Sequence, residues 1–188
     1  MIRKEIKLDD IIKNHFENLE AKDKTLQYEA FNHIMAATKE EVNWAYEVWD
    51  QLKAWLTDKD NHRRSRGAQF LASLAISDQD NRIIDDFPAL WKATKDPKFV
   101  TARHSLQAIW RVGLAGEEQK DLVMRHFVKR FHNGAEEKNY TLIRYDMIQG
   151  LRHLFDALKD ETIRETALAL IETEEDSKYR KKYLSVWK

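Results

Sequence analysis

The sequence predicts an all-α fold of stacked helix pairs, and three observations predict it. Apolar residues recur at helical spacing along nearly the whole chain, and no segment of strand length alternates strictly between apolar and polar. Five Gly and two Pro in 188 residues are too few to punctuate strands and hairpins, which need special backbone freedom at each turn. The third observation is a recurrence. Arg66, Arg103, Arg144 and Arg180, separated by 37, 41 and 36 residues, each follow a polar turn and precede an apolar stretch: Phe70/Leu74, Leu106/Trp110, Met147/Leu151 and Tyr183/Trp187. Tyr28 holds the same phase 38 residues before Arg66, without the Arg. Two helices fill a period near 40. One pair cannot bury its apolar face alone, so pairs stack into a solenoid with a shared core.

Taken in order, Leu8, Ile11, Ile12, Phe16 and Leu19 predict an N-terminal capping helix within 8–21, its regular part about 9–20. Helices follow at about 24–37 and 39–56, the second carrying the stripe Val42, Ala45, Val48, Trp49, Leu52 and Leu56. Thr38-Lys39-Glu40-Glu41 has the pattern of a capping box, which starts that helix. Further helices are expected at about 62–76, 80–94, 98–113, 117–132, 139–156 and 160–173, and one from about 178 to the end. Ser77-Asp78-Gln79-Asp80 is a weaker start signal before Ile83 and Ile84. Polar clusters at 58–61, 95–97, 133–134 and 174–177 separate the elements. The whole chain, 1–188, reads as one domain of repeats at about 24–60, 61–96, 97–138 and 139–176, closed by a helix at 177–188.

Phe87-Pro88-Ala89-Leu90, then Asp96-Pro97, then Val100, Arg103, Ser105 and Leu106 resemble a HEAT repeat. Asp60 and Arg66 look like the same Asp and Arg one repeat earlier, and Val112-Gly113-Leu114-Ala115-Gly116 is similar to the glycine-bearing turns between such repeats. The resemblance is good over 40–113, weaker over 117–155 and weakest at the ends. It implies a right-handed α-α superhelix of four to five helix pairs, with the second helices lining a concave surface. It also implies an inter-repeat ladder in which Asp60, Arg66, Asp96, Arg103 and Arg144 tie adjacent repeats, Asp96 with Arg103 and Asp60 with Arg66.

Composition limits the chemistry. With no Cys there is no disulfide framework, thiolate nucleophile or zinc finger, which suits a reducing, cytoplasmic setting. The charged start of the chain argues against a signal peptide, and no apolar run nears membrane-spanning length. None of the seven His precedes a Glu, so the His-Glu dipeptides of HEAT-like iron hydroxylases are absent and no metal site is expected. Nor is there a glycine-rich phosphate loop or a Gly-x-Ser-x-Gly elbow. No cofactor is expected. Other HEAT-like proteins are alkylpurine DNA glycosylases with a carboxylate among Trp side chains. Here the carboxylate in the middle of a second helix is Asp146, and no Trp shares its helix; Asp146 reads as solvated or salt-bridged.

Charge is segregated although the chain is neutral. The segments 61–77, 98–114, 139–155 and 177–188 carry +3, +3, +1 and +5, which leaves −12 on the rest. Stacked second helices would therefore form a basic wall, partly through the ladder arginines themselves. The polar second-helix positions outside the apolar stripes are Arg63, Gln69, His104, Gln107, Arg111, Gln149, Arg152 and His153, and these are the candidate binding residues. Trp49, Trp91 and Trp110 lie in the stripes as packing residues, while Trp44 and Trp55 fall one residue off and are expected at a surface. Trp187 is expected either docked on the last repeat or exposed. The expectation is a non-enzymatic scaffold or adaptor that binds an acidic or extended protein segment, with a nucleic-acid-binding relative of the glycosylases as the alternative.

Overall fold

The computed structural model describes residues 10–188, and within them every regular element is helical. The α-helices are α1 (Asp10–Asn18), α2 (Lys24–Ala37), α3 (Ala45–Trp55), α4 (Asn61–Leu74), α5 (Arg82–Ala93), α6 (Phe99–Ala108), α7 (Glu117–Asn133), α8 (Tyr140–Leu158), α9 (Glu161–Glu172) and α10 (Ser177–Leu184). Helices α4, α6 and α10 tighten into 3-10 turns at Ala75–Ser77, Ile109–Leu114 and Ser185–Trp187. The start of the expected capping helix, at residues 8 and 9, lies outside the described residues, as does the charged start of the chain.

Sequence neighbours pack as pairs, α1 on α2, α3 on α4, α5 on α6, α7 on α8 and α9 on α10, while α9 also packs on α8 and α7 meets the 109–114 turn. The second members α2, α4, α6, α8 and α10 also lie side by side, each touching the next, while α3 meets α5 and α7 meets α9. One apolar cluster runs through these contacts from Phe16 and Leu19 to Tyr183. Trp49, Tyr183, Phe70, Phe87, Phe127 and Phe131 are its largest fully buried side chains. Among the described residues no helix is long and apolar enough to cross a membrane.

Local chemistry explains where the helices start. Asp23, Asp60, Asp160 and Asp176 accept hydrogen bonds from first-turn amides of α2, α4, α9 and α10, satisfying donors that have no partner within the helix. Asn81 and Asn139 adopt left-handed φ of 55° and 61° just before α5 and α8, a conformation Asn tolerates well. The start signal at 77–80 works through Asp78, whose carboxylate accepts from the Ile83 amide at 2.7 Å.

Three expectations are corrected. Thr38 does not open a helix: it closes α2, its hydroxyl donating to the Met35 carbonyl, and α3 begins only at Ala45. The intervening segment is held instead by the Val42 amide donating to Ser77 Oγ. Trp44 and Trp55 are core residues, 5% and 7% exposed, because Trp44 packs edge-on against Phe16 of α1 and Trp55 lies against Gly67 of α4. The ladder pairing also differs. Asp60 caps α4 rather than meeting Arg66, and Asp96 takes Arg64 at 2.5 and 3.0 Å rather than Arg103.

The repeat-phase arginines mostly serve helix ends. Arg66 donates to the Leu19 carbonyl and to Gln27 Oε1, Arg144 to the Phe131 carbonyl, and Arg180 to the Glu174 carbonyl. These carbonyls lie at or just past the ends of α1, α7 and α9, where a helix leaves acceptors without amide partners. Arg144 also reaches the buried Glu174 carboxylate at 2.8 Å, tying α8 to the next pair. Arg103 departs from the pattern and pairs with Asp146 on α8.

Gly67 sets the approach of α3 to α4. A Cβ there would lie 2.8 Å from the Leu52 carbonyl oxygen and 2.9 Å from Trp55 Cβ. Because the obstacle includes backbone, relief requires the helices to separate. Gly67→Ala is therefore expected to lower stability by about 1–3 kcal/mol despite the better helix propensity of Ala, as urea unfolding would read; an unchanged or raised midpoint would disprove the close packing.

Candidate functional site

The second-helix row presents a face centred on α6 and the 109–114 turn. Helical spacing sends Arg103, Gln107 and Trp110 toward α8, while His104 meets α4. At the centre is Asp146, whose side chain is wholly buried. Arg103 grips it with two hydrogen bonds, Nε to Oδ2 at 2.7 Å and Nη2 to Oδ1 at 2.8 Å, and Gln107 Nε2 adds a third to Oδ1 at 3.0 Å. A bidentate, charge-assisted pair with a further amide donor compensates a carboxylate withdrawn from water.

Above this pair lies a depression of about 250 Å³ lined by Gln107, Asp146, Gln149, Gly150 and His153. Gly150 permits it: a Cβ there would stand 2.9 Å from the Phe127 ring, so α8 sits close on α7 only with glycine. His153 packs against Trp110 at 5.3 Å between ring centroids, and the Arg111 guanidinium lies over the same indole at 4.9 Å. On the α4 side, Gln69 donates to the Ser65 carbonyl and hydroxyl, and Ser65 Oγ lies 3.4 Å from His104 Nδ1.

Of the eight candidate residues, Gln107, Gln149 and His153 converge on the depression, with Arg111 beside His153 and Gln69 and His104 along the α4 side. Two go elsewhere. Arg63 forms ion pairs with Glu20 and Asp58 at the outer end of α4. Arg152 turns toward the C-terminus, bonding Asp156 and the Val186 carbonyl and lying over Trp187. This docks Trp187, which also packs on Phe155. Sequence reasoning missed Trp110 as part of the face, since it falls in an apolar stripe, and gave Asp146 no partner, since its partner lies 43 residues away.

Arg111 stands apart electrostatically. Among the described arginines only Arg111 and Arg125 have neither a hydrogen bond nor an ion pair, and of the two Arg125 is exposed while Arg111 is half-buried. Lys182 on α10 extends the positive character, lying over the Tyr145 ring at 4.7 Å. A larger cleft of opposite character lies elsewhere: about 720 Å³ between α1 and α3, bordered by Asp10, Glu17, Glu20 and Glu47 with Lys13.

The arrangement lacks the parts of a nucleophilic relay. Ser65 and His104 are neighbours, but Asp146 is held by Arg103 and Gln107, and no carboxylate hydrogen-bonds the imidazole among the described residues. Among those residues, too, no cluster of three or more His, Asp or Glu could hold a metal ion. No model of a known protein family and no curated protein matches the sequence.

Burial lowers the pKa of both His104 and His153, and the neighbouring Arg103 and Arg111 respectively push in the same direction. The unfolded imidazoles, near 6.5, bind protons more readily than the folded ones. Stability from these two rings is thus complete above about pH 6.5 and is lost as pH falls toward their depressed folded values. Asp160 behaves separately: the Lys120 ammonium and Thr162 hold it down at about 2, so its contribution is lost only as pH falls from its unfolded value near 3.9 toward about 2. A thermal midpoint falling between about pH 7 and pH 5 is expected, and His104→Gln with His153→Gln should flatten that limb while leaving the more acidic one.

A second prediction concerns the buried carboxylate. Arg103→Ala should destabilise by about 3 kcal/mol, since it strands Asp146 with Gln107 alone, whereas Arg103→Met with Asp146→Leu should recover most of the loss. Urea midpoints of the single and double variants decide this; equal losses in both would mean that packing, not charge pairing, sets the cost.

Proposed function

We propose that the chain is a non-enzymatic, HEAT-like scaffold, a right-handed superhelix of helix pairs whose second-helix face binds an acidic, extended polypeptide segment. Side-by-side contact of the second helices and the Arg recurrence near 40 residues support the architecture. The observation that carries the function is the make-up of the face. Gln69, His104, Gln107, Gln149 and His153 offer hydrogen-bonding groups across three adjacent helices, Arg111 and Lys182 offer cations, and the carboxylate among them is neutralised. Amide and imidazole groups in rows suit the repeating carbonyls and amides of an extended chain, and the cations select acidic side chains. The depression is too small for a drug-sized substrate, for which about 300–1,000 Å³ is usual.

On α4, α6 and α8 most arginines are matched by the chain's own carboxylates. Arg63, Arg64, Arg103, Arg144 and Arg152 all meet carboxylates. On those three helices few cations remain to neutralise a row of phosphates, which duplex binding requires. The lysines of α10, with Tyr145 and Tyr179, are the feature that favours the nucleic-acid alternative.

Fluorescence anisotropy with a labelled Glu- and Asp-rich peptide and with a labelled DNA duplex at physiological salt separates the two readings. Peptide binding is expected, weakened about tenfold or more by His104→Glu with Gln149→Glu, which leaves the buried pair intact. Absence of peptide binding, or tight duplex binding with a steep salt slope, would overturn the scaffold reading.

A further inference from the structure

Resting on the proposed groove, we infer that Arg111, stacked on Trp110 and flanked by His153, is an oxyanion anchor that takes one carboxylate of the bound segment. The argument begins with what Arg111 lacks. A guanidinium partly withdrawn from water loses hydration, and that loss is normally returned by hydrogen bonds to an acceptor. The other arginines of the second helices all have such acceptors: carboxylates for Arg63, Arg64, Arg103, Arg144 and Arg152, backbone carbonyls for Arg66 and Arg180. Arg111 has only the indole face of Trp110, at 4.9 Å.

Stacking fixes the plane of the guanidinium while leaving its N–H edge unused, and that edge matches the two oxygens of a carboxylate. The chain's own nearby carboxylates are committed. Asp146 is held by Arg103 and Gln107, and Asp156 by Arg152 and Lys159. Among the described residues no carboxylate is left for Arg111, and the bound segment supplies one. His153, packed on the same indole, supplies a second donor on the rim of the depression. The charged groups around His153 are Arg111 from the 109–114 turn and Arg152 and Asp156 from its own helix, and the arginines disfavour its protonation in the free protein. A bound carboxylate reverses that balance, so binding is accompanied by proton uptake and tightens as pH falls through the titration of His153.

The experiment follows the His153 ring and Arg111 Nε–H resonances by NMR during titration with sodium acetate, inorganic phosphate and the acidic peptide, on wild type, Arg111→Gln and Arg111→Lys. Saturable shifts with acetate and with the peptide are expected in the wild type. Arg111→Gln should abolish the acetate response at His153 and weaken the peptide about tenfold, and Arg111→Lys should lie between, because it keeps the charge but loses the fork. Arg111→Gln should also melt no lower than wild type, since it removes a half-buried charge that has no partner. A clear drop in its melting temperature would make Arg111 a structural residue and overturn the inference, as would the absence of any saturable acetate shift or a response to phosphate alone. An acetate response without peptide binding keeps the anchor and rejects the groove reading; peptide binding indifferent to Arg111→Gln keeps the groove and rejects the anchor.

Discussion

A carboxylate taken out of water between two helices has to be paired, and the Asp146–Arg103 contact is where this requirement governs the molecule. Asp146 sits on α8 with no solvent access, and its two oxygens accept three hydrogen bonds from α6. The bonds fix the axial register of α8 on α6, since a slip of one turn, about 5.4 Å, would strand the charge. Related ties recur along the stack: Arg64 to Asp96, Lys120 to Asp160, Arg144 to Glu174. Each joins a cation in one helix pair to a carboxylate belonging to the next, so the apolar cluster supplies the cohesion and the ion pairs supply the register.

The same requirement shapes the exposed face. Pairing cations with the chain's own carboxylates removes most of the basic balance of α4, α6 and α8 from the surface. What remains is a field of amides and imidazoles with a few cations, which differs in kind from a uniformly basic wall. Only within that field does the isolation of Arg111 carry meaning. On a face crowded with carboxylates, a guanidinium without a partner would be unremarkable; here the acids described nearby, Asp146 and Asp156, are already engaged.

Close backbone approach is the second constraint. Gly67 lets α3 lie against α4, and Gly150 lets α8 lie against Phe127 of α7. The depression over Asp146 is lined by Gly150 itself, so the geometry of the face depends on how closely α8 packs there. The 3-10 turn at Ile109–Leu114 has a similar effect. By tightening the end of α6 it carries Trp110 and Arg111 beyond the α-helical positions around which the spacing argument was built.

The sequence by itself determined the helical class, the number and order of the helices, and most of their ends, because apolar spacing, Asp caps and polar breaks act within a few residues of one another. It also singled out Gln107, Gln149, His153 and Arg111, since a polar residue outside an apolar stripe is legible from local period alone. The tertiary structure decided the partners. Thr38 closes a helix rather than opening one, because the loop after it is held by Ser77, 35 residues on. Asp96 meets Arg64 rather than Arg103, and Arg103 finds Asp146 across 43 residues. Trp44 and Trp55 go inward, and Arg152 turns away to Trp187. Each of these outcomes is a choice among acceptors or surfaces that are equivalent in local sequence. Only the distance and burial created when helices pack against one another distinguish them.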